Sequence, residues 1–228
     1  MRRALVLLVT LLSGWACAQP GGWLPQLDRA GVTDERVRAA MQKVRRADFL
    51  PESQKKFELE DRPLPIGHGQ TTSQPTLIAL MIQELKLEPG CSVLEVGTGS
   101  GYQTALLAEL CREVASIEIV APLAAQAGAR LAALGYKHVS VKAGDGYLGW
   151  PEKAPFDGIT VGAAVARVPA PLVEQLRPGA RLVLPVEDPG GPKINVVTRQ
   201  LDGGTASEKT LDVRFVPLTG PHADRDRQ

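Results

Sequence analysis

The stretch Leu94-Glu95-Val96-Gly97-Thr98-Gly99-Ser100-Gly101-Tyr102-Gln103 decides the fold of this chain. An apolar run, Val93 to Val96, enters a glycine-rich turn that then opens a helix. This is how an open α/β sheet seats a nucleotide-sized ligand, because glycines bend the chain tightly and let a ligand approach the backbone with no Cβ in the way. The spacing here is GxGxG, whereas a dinucleotide fingerprint is GxGxxG, and Tyr102 stands where its last glycine belongs. Glu95 adds a carboxylate beside the turn, which repels a pyrophosphate and suits a cation. The residues therefore favour S-adenosylmethionine over NAD, with Glu95, Gly97, Thr98, Gly99, Ser100 and Gly101 as candidate cofactor-binding residues.

Outward from this turn the chain alternates. Strands are expected at Ser92–Val96, Glu113–Ile119, His138–Lys142, Phe156–Val161 and Arg181–Val186. Between them, helices are expected at Tyr102–Leu110, Pro122–Leu134 and Pro171–Gln175. Such alternation predicts a doubly wound, mostly parallel sheet. The β-rich runs Ile194–Gln200 and Leu211–Pro217 flank the turn sequence Asp202-Gly203-Gly204, which predicts a C-terminal antiparallel hairpin. Before the sheet, Thr33 or Asp34 caps a helix whose Val37, Ala40, Met41 and Val44 recur at helical spacing. Residues 46–65 have no clear period and read as a loop-rich cover. Ser73-Gln74-Pro75 then starts a second helix.

At 228 residues, 44% hydrophobic and 22% charged, the chain fits one globular domain that buries its own core. The formal charge of +1, the lack of a basic run and an aromatic content of 4% argue against a nucleic-acid partner. Arg2 and Arg3, the apolar run Ala4 to Leu12 and then Ala16-Cys17-Ala18 read as a signal peptide cleaved after Ala18. The run is too short to span a bilayer. The domain expectation is a signal peptide over 1–18, a Pro/Gly-rich leader over 19–32, a catalytic domain over 33–219 and a frayed polar tail over 220–228. A periplasmic or secreted monomer without stable membrane association is expected after cleavage; the alternative is a cytoplasmic location. Cys91 and Cys111 fall at the start of a strand and the end of its returning helix, which an α/β sheet brings to one edge. They read either as a disulfide, which an oxidising compartment permits, or as two half-buried free thiols. His68, His138 and His222 are too scattered for a metal site, and none is expected.

Ligands of such sheets lie beyond the carboxyl ends of the strands. Glu118 ends the second strand, 21 residues past Gly97, where a carboxylate grips ribose hydroxyls. Gly144-Asp145-Gly146 follows the third strand, with Asp145 placed for an adenine amine and Gly146 beside it. The remaining segment, Leu64 to Pro75, is a loop rich in glycines, hydroxyls and amides directly before a helix. It offers many donors for a carboxylate.

Four stretches together resemble the protein-L-isoaspartate (D-aspartate) O-methyltransferases: PIGxGQTxSxP over 65–75, LExGTGSGYxTA over 94–105, GDG over 144–146 and FVPL over 215–218. The resemblance runs from about residue 30 to 219 and implies the S-adenosylmethionine-dependent methyltransferase type of Rossmann-like sheet. It implies S-adenosylmethionine as cofactor, isoaspartyl-containing peptides and proteins as substrate, and methylation of their free carboxylate as the activity. The ester then cyclises to a succinimide whose hydrolysis restores some aspartate. By the same resemblance Ser73 is the active-site hydroxyl, Thr71 and Thr72 line its pocket, and Thr219 closes over the cofactor. Ile66, Gly67, His68, Gly69 and Gln70 face the substrate, while Gly162 falls outside the pocket. A small-molecule methyltransferase and a non-catalytic exported binding protein on the same fold are the competing readings.

Overall fold

The protein is described here by a computed structural model covering residues 22–225. The expected signal peptide lies outside the described residues. Within the stretch read as a Pro/Gly-rich leader, the described residues include a helix. Pro25, tolerated where a helix lacks N–H acceptors anyway, opens α1 (Leu24–Ala30), which buries Leu27 completely and stops at Gly31 in the left-handed region. Asp34, not Thr33, caps α2 (Glu35–Lys43) by accepting from the N–H groups of Arg36 and Val37, a cap worth about 1 kcal/mol.

The stretch expected to be a donor-rich loop is a hairpin, β1 (Leu64–Gly67) antiparallel to β2 (Gln70–Thr72), with Leu64 opposite Thr72. Its tip runs through left-handed backbone at Gly67, His68 and Gly69. Helix α3 (Pro75–Glu84) follows at once and buries Ile78, Ala79, Met81 and Ile82.

The sheet then begins. Its elements are β3 (Ser92–Val96), α4 (Tyr102–Leu110), β4 (Glu113–Glu118), α5 (Ala121–Ala133), β5 (Val139–Ala143), β6 (Phe156–Val161), α6 (Ala170–Glu174), β7 (Leu176–Val186), β8 (Lys193–Arg199) and β9 (Thr205–Asp212). Spatial order is β5-β4-β3-β6-β7-β8-β9, parallel from β5 to β7 and antiparallel from β7 to β9. The chain winds outward from β3 to β5 and then returns to place β6 on the other side of β3. The switch point therefore lies between the carboxyl ends of β3 and β6, where open α/β sheets bind their ligands.

Alternation along β3 sorts the two layers. Val93 joins the core shared with α1 to α4, whereas Leu94 and Val96 join the opposite core with Ile159, Leu182 and Leu184. Cys91, just before β3, is disulfide-bonded to Cys111, just after α4, so of the two readings of these thiols the bonded one holds. The final strand differs from expectation: β9 occupies 205–212 and exposes all its residues, while 213–217 leave the sheet. The described part of the tail carries α7 (Pro221–Arg225), with Ala223 buried.

Candidate active site

Three glycines shape the switch point. Gly97 (φ +96°) donates to Ile117 O at 2.7 Å, and Gly162 donates across to Val96 O at 2.8 Å, so the two turns face each other through bare backbone. A Cβ on Gly97 would stand 3.7 Å from the Gly162 Cα, and one on Gly146 would stand 2.3 Å from Val96 Cγ1. The hollow they leave is lined by Gln70, Thr71, Gly97, Gly99, Glu118 and Thr219 among others. Gly162 also lines it, contrary to expectation, because β6 ends beside β3 and not at a remote edge.

Glu118 ends β4 with its side chain held open to this hollow. Its Oε2 accepts from Gly99 N–H and its Oε1 from Val120 N–H, at 2.8 and 2.9 Å. Each carboxylate oxygen keeps a further lone pair, so the group can still accept from a diol. The hollow's volume is about 70 Å³, below the roughly 300 Å³ at which ligand pockets begin. Seating a nucleoside-sized ligand thus requires the neighbouring Ile66 side chain or the 216–219 cover to move outward.

Glu95, Thr98, Ser100 and Gly101 are brought to the turn but not to its ligand face. Glu95 shares the side of β3 on which Val93 lies, so it points under α4 and is 1% exposed. Its Oε2 accepts from Thr104 Oγ1 and Ser116 Oγ at 2.5 and 2.6 Å, and Ser116 Oγ in turn contacts Thr98 Oγ1 at 2.5 Å. Glu95 Oε1 is buried with no partner. Burial pushes this carboxyl up to about 8, against the opposing effect of the two hydroxyl donors. The carboxylate read as a partner for a cationic ligand is instead an internal strut beneath the turn. Ser100 accepts from Arg130 through its carbonyl, and Gly101 makes room for Leu131 of α5.

Asp145 does not line the hollow either. Its carboxylate accepts from Tyr147 N–H, from His222 N–H and from the His222 ring, which draws α7 over the loop after β5. Burial works to raise this group, but those hydrogen bonds outweigh it and hold the carboxyl below its ordinary value.

A larger cleft of about 720 Å³ adjoins the hollow and shares Thr71, Gly162 and Val216 with it. Ser73, half-buried, faces this cleft. Ser73 does not cap α3: the cap position is Gln74, and the first-turn N–H of Thr76 is taken by Asp61 at 2.9 Å. The Ser73 hydroxyl therefore has no hydrogen bond among the described residues. Thr72 is buried on the other side of β2, as period-2 alternation with Thr71 requires, and Gly67, His68 and Gly69 sit exposed at the hairpin tip, away from both cavities. Gln70 lines the hollow rather than the cleft.

Three residues the sequence does not single out complete the site. Arg46, 1% exposed, donates to the carbonyls of Glu60 and Arg62 at 2.8 and 2.9 Å and reaches Ser73 O at 3.4 Å; burial pulls its guanidinium down to about 10. Asp61 ties the same segment to Gln74 and Thr76. Both lie in the aperiodic 46–65 stretch, which carries no motif signal. Arg214 lines the cleft, exposed, with no ion pair among the described residues, whereas nearby Asp212 is paired with Lys193.

The family model for protein-L-isoaspartate(D-aspartate) O-methyltransferase matches residues 22–223. This chain belongs to that family. It is 50% identical over 201 residues to protein-L-isoaspartate O-methyltransferase 2 of Syntrophobacter fumaroxidans, covering 86% of this chain and 80% of the relative. It is also 50% identical over 194 residues to the Gloeobacter violaceus protein-L-isoaspartate O-methyltransferase, covering 85% and 95% respectively. Among solved structures, a Plasmodium falciparum protein described as a protein-L-isoaspartate O-methyltransferase, in complex with S-adenosyl-L-homocysteine, matches with a TM-score of 0.76. That match has 27% identity and covers 86% of this chain and 96% of the other. The family match extends from residue 22 through α1 to residue 223, so it takes in the stretch read as a leader from residue 22 onward and the first four residues of the stretch read as a tail.

Proposed function

We propose that this chain transfers a methyl group from S-adenosylmethionine to the free carboxylate of L-isoaspartyl and D-aspartyl residues in damaged polypeptides, initiating their repair. The observation that carries this reading is the shared wall: Thr71, Gly162 and Val216 line both the glycine-walled hollow and the hydroxyl-bearing cleft, so a donor in one meets an acceptor in the other. The hollow suits the donor because four glycines bare its wall and one carboxylate, Glu118, is available to ribose hydroxyls. S-adenosylmethionine, when bound there, supplies a methyl carried on a cationic sulfur.

The chain's own residues then have a positioning task. An acceptor carboxylate is ionised near neutral pH, so no general base is needed. Ser73 donates its uncommitted hydroxyl to that carboxylate, and Arg214 adds a cation at the same cleft. Arg46 holds the Ser73 carbonyl while Asp61 holds the Gln74 side-chain amide and the Thr76 N–H, so orientation rather than acid–base chemistry lowers the barrier. One carboxylate oxygen forms a bond to the methyl carbon as the sulfur–carbon bond breaks, which leaves a neutral thioether and a methyl ester. Ser73→Ala is expected to cut transfer of labelled methyl to an isoaspartyl peptide about a hundredfold, or ~2.7 kcal/mol, with donor affinity nearly unchanged. Wild-type turnover by that variant removes Ser73 from the reaction. Equal labelling of the matched aspartyl peptide overturns the substrate assignment.

We also propose that the protein is exported. Two features support this: the residues 1–18 pattern of arginines, apolar run and small-x-small site, and the Cys91–Cys111 bond, a pairing at home in an oxidising compartment. Fractionation of cells producing the full chain is expected to place it outside the cytoplasm with residues 1–18 removed.

A further inference from the structure

The acceptor cleft does not end beyond Ser73. It continues into a second hollow of about 260 Å³, the two sharing Ala30, Leu77, Leu80 and Leu211. Met81 of α3 and Ile194 of β8 add to its apolar wall, while Glu84 at its rim is engaged by Arg181. The volume is too small for a cofactor-sized ligand but matches one or two side chains.

We infer that this hollow is a subsite for an apolar side chain of the acceptor polypeptide, a few residues from the damaged one. The inference rests on the methyl-transfer reading above only for where the damaged residue sits. The reason is continuity along one helix. Ser73 directly precedes α3, and Leu77, Leu80, Met81 and Glu84 recur at the spacing of a single helical face that runs from the reacting end into the hollow. Leu80 lies about 7.5 Å along α3 from Pro75 at the helical rise, and the two non-helical residues Ser73 and Gln74 lengthen the span from Ser73 to roughly 10–14 Å, which an extended peptide covers in three or four residues. A polypeptide with its carboxylate at Ser73 thus brings a neighbour about three positions away over Leu77 and Leu80, with Leu211 of the exposed edge strand opposite. Gln83 and Thr210 also line the hollow, but the Gln83 amide is engaged by Thr33, Asp34 and Gly31 and the Thr210 hydroxyl donates to Ile194 O, so a polar side chain there loses water for little gain, whereas a leucine covers surface that is otherwise wet.

The test is an isoaspartyl peptide series in a Gly/Ser background, with one Leu or one Lys placed at each of four positions on either side. Steady-state kinetics and calorimetric peptide binding in the presence of S-adenosylhomocysteine are both measured. Leu about three residues away, on one side only, is expected to lower KM and Kd about fivefold relative to Gly with kcat unchanged, and Lys is expected to give no gain. Leu211→Ser and Leu80→Ala should each bring the Leu-to-Gly ratio of Kd to about one. Leu211 lies on the exposed edge, so its variant keeps the test valid should Leu80→Ala fold poorly. Equal Kd for Leu and Gly at every position, or an undiminished preference in Leu211→Ser, overturns the subsite. A position-dependent Kd with no turnover on any peptide faults the methyl-transfer reading and leaves the subsite in place.

Discussion

The centre of the sheet and its antiparallel edge build their halves of the site by opposite means. At the parallel centre, the ends of β3 and β6 meet as bare backbone, and Gly97, Gly99, Gly146 and Gly162 line the hollow with a single carboxylate, beside side chains of the β1–β2 hairpin and the 216–219 cover. At the antiparallel edge, the cleft is made of side chains drawn from α1, the segment around Ser73, α3 and the 211–216 stretch. A wall made of missing Cβ atoms tolerates no addition. A wall made of side chains tolerates graded change, which fits the contrast between one invariant small ligand and many polypeptide acceptors.

The harshest way to break this contrast is Gly146→Ala. Its new methyl would overlap Val96 Cγ1 at 2.3 Å in a buried layer, so we expect a loss of about 3 kcal/mol in urea melts and no donor binding detectable by calorimetry. Normal donor affinity in this variant would show that the central wall is no more demanding than the edge.

A second probe examines what supports the centre. Glu95 titrates near 4.5 when unfolded and is raised to about 8 by burial in the folded chain. The folded state therefore holds the proton over that interval, and stability is full below pH 4.5 and declines as pH rises through 8. The expected slope approaches about 1 kcal/mol per pH unit, and Glu95→Gln should flatten it. Parallel pH profiles for the two proteins would dismiss a neutral buried Glu95.

The mildest effect is expected at the edge. Arg214→Ala should raise KM for an isoaspartyl peptide about threefold, a loss of ~0.7 kcal/mol, with kcat held, and the difference should shrink as salt is added because the guanidinium is solvent-exposed. A drop in kcat with KM unchanged would instead move Arg214 into the reacting geometry.

The same contrast explains what could be read from the residues alone. The centre announces itself: β3, α4 and β6 have apolar runs bounded by glycine, and their boundaries at Ser92, Val96, Tyr102, Leu110, Phe156 and Val161 coincide with the structure. The edge does not. Strand β9 is Thr-Ala-Ser-Glu-Lys-Thr-Leu-Asp, with no buried side and hence no alternation to detect, whereas Val213 and Phe215, past its end, continue the spacing of Leu211 and imitate a strand while they line the cleft. Charge on such an edge also discourages pairing with other chains, which favours a sequence that does not look like a strand. The burial of Glu95 is illegible for a different reason: a strand position reveals which side of the sheet a residue faces only once the layers are known, and a carboxylate beside a ligand turn is equally consistent with either side. Arg46 and Asp61 act through backbone carbonyls and N–H groups, contacts that leave no spacing rule in the sequence.

The cross-link between Cys91 and Cys111 brackets the β–α unit that carries the glycine turn. Handling history therefore becomes a chemical variable: batches made with dithiothreitol, or matured in a host cytosol, are a different covalent species from air-oxidised ones. Donor titrations on the two should be run side by side before any variant is ranked against its parent.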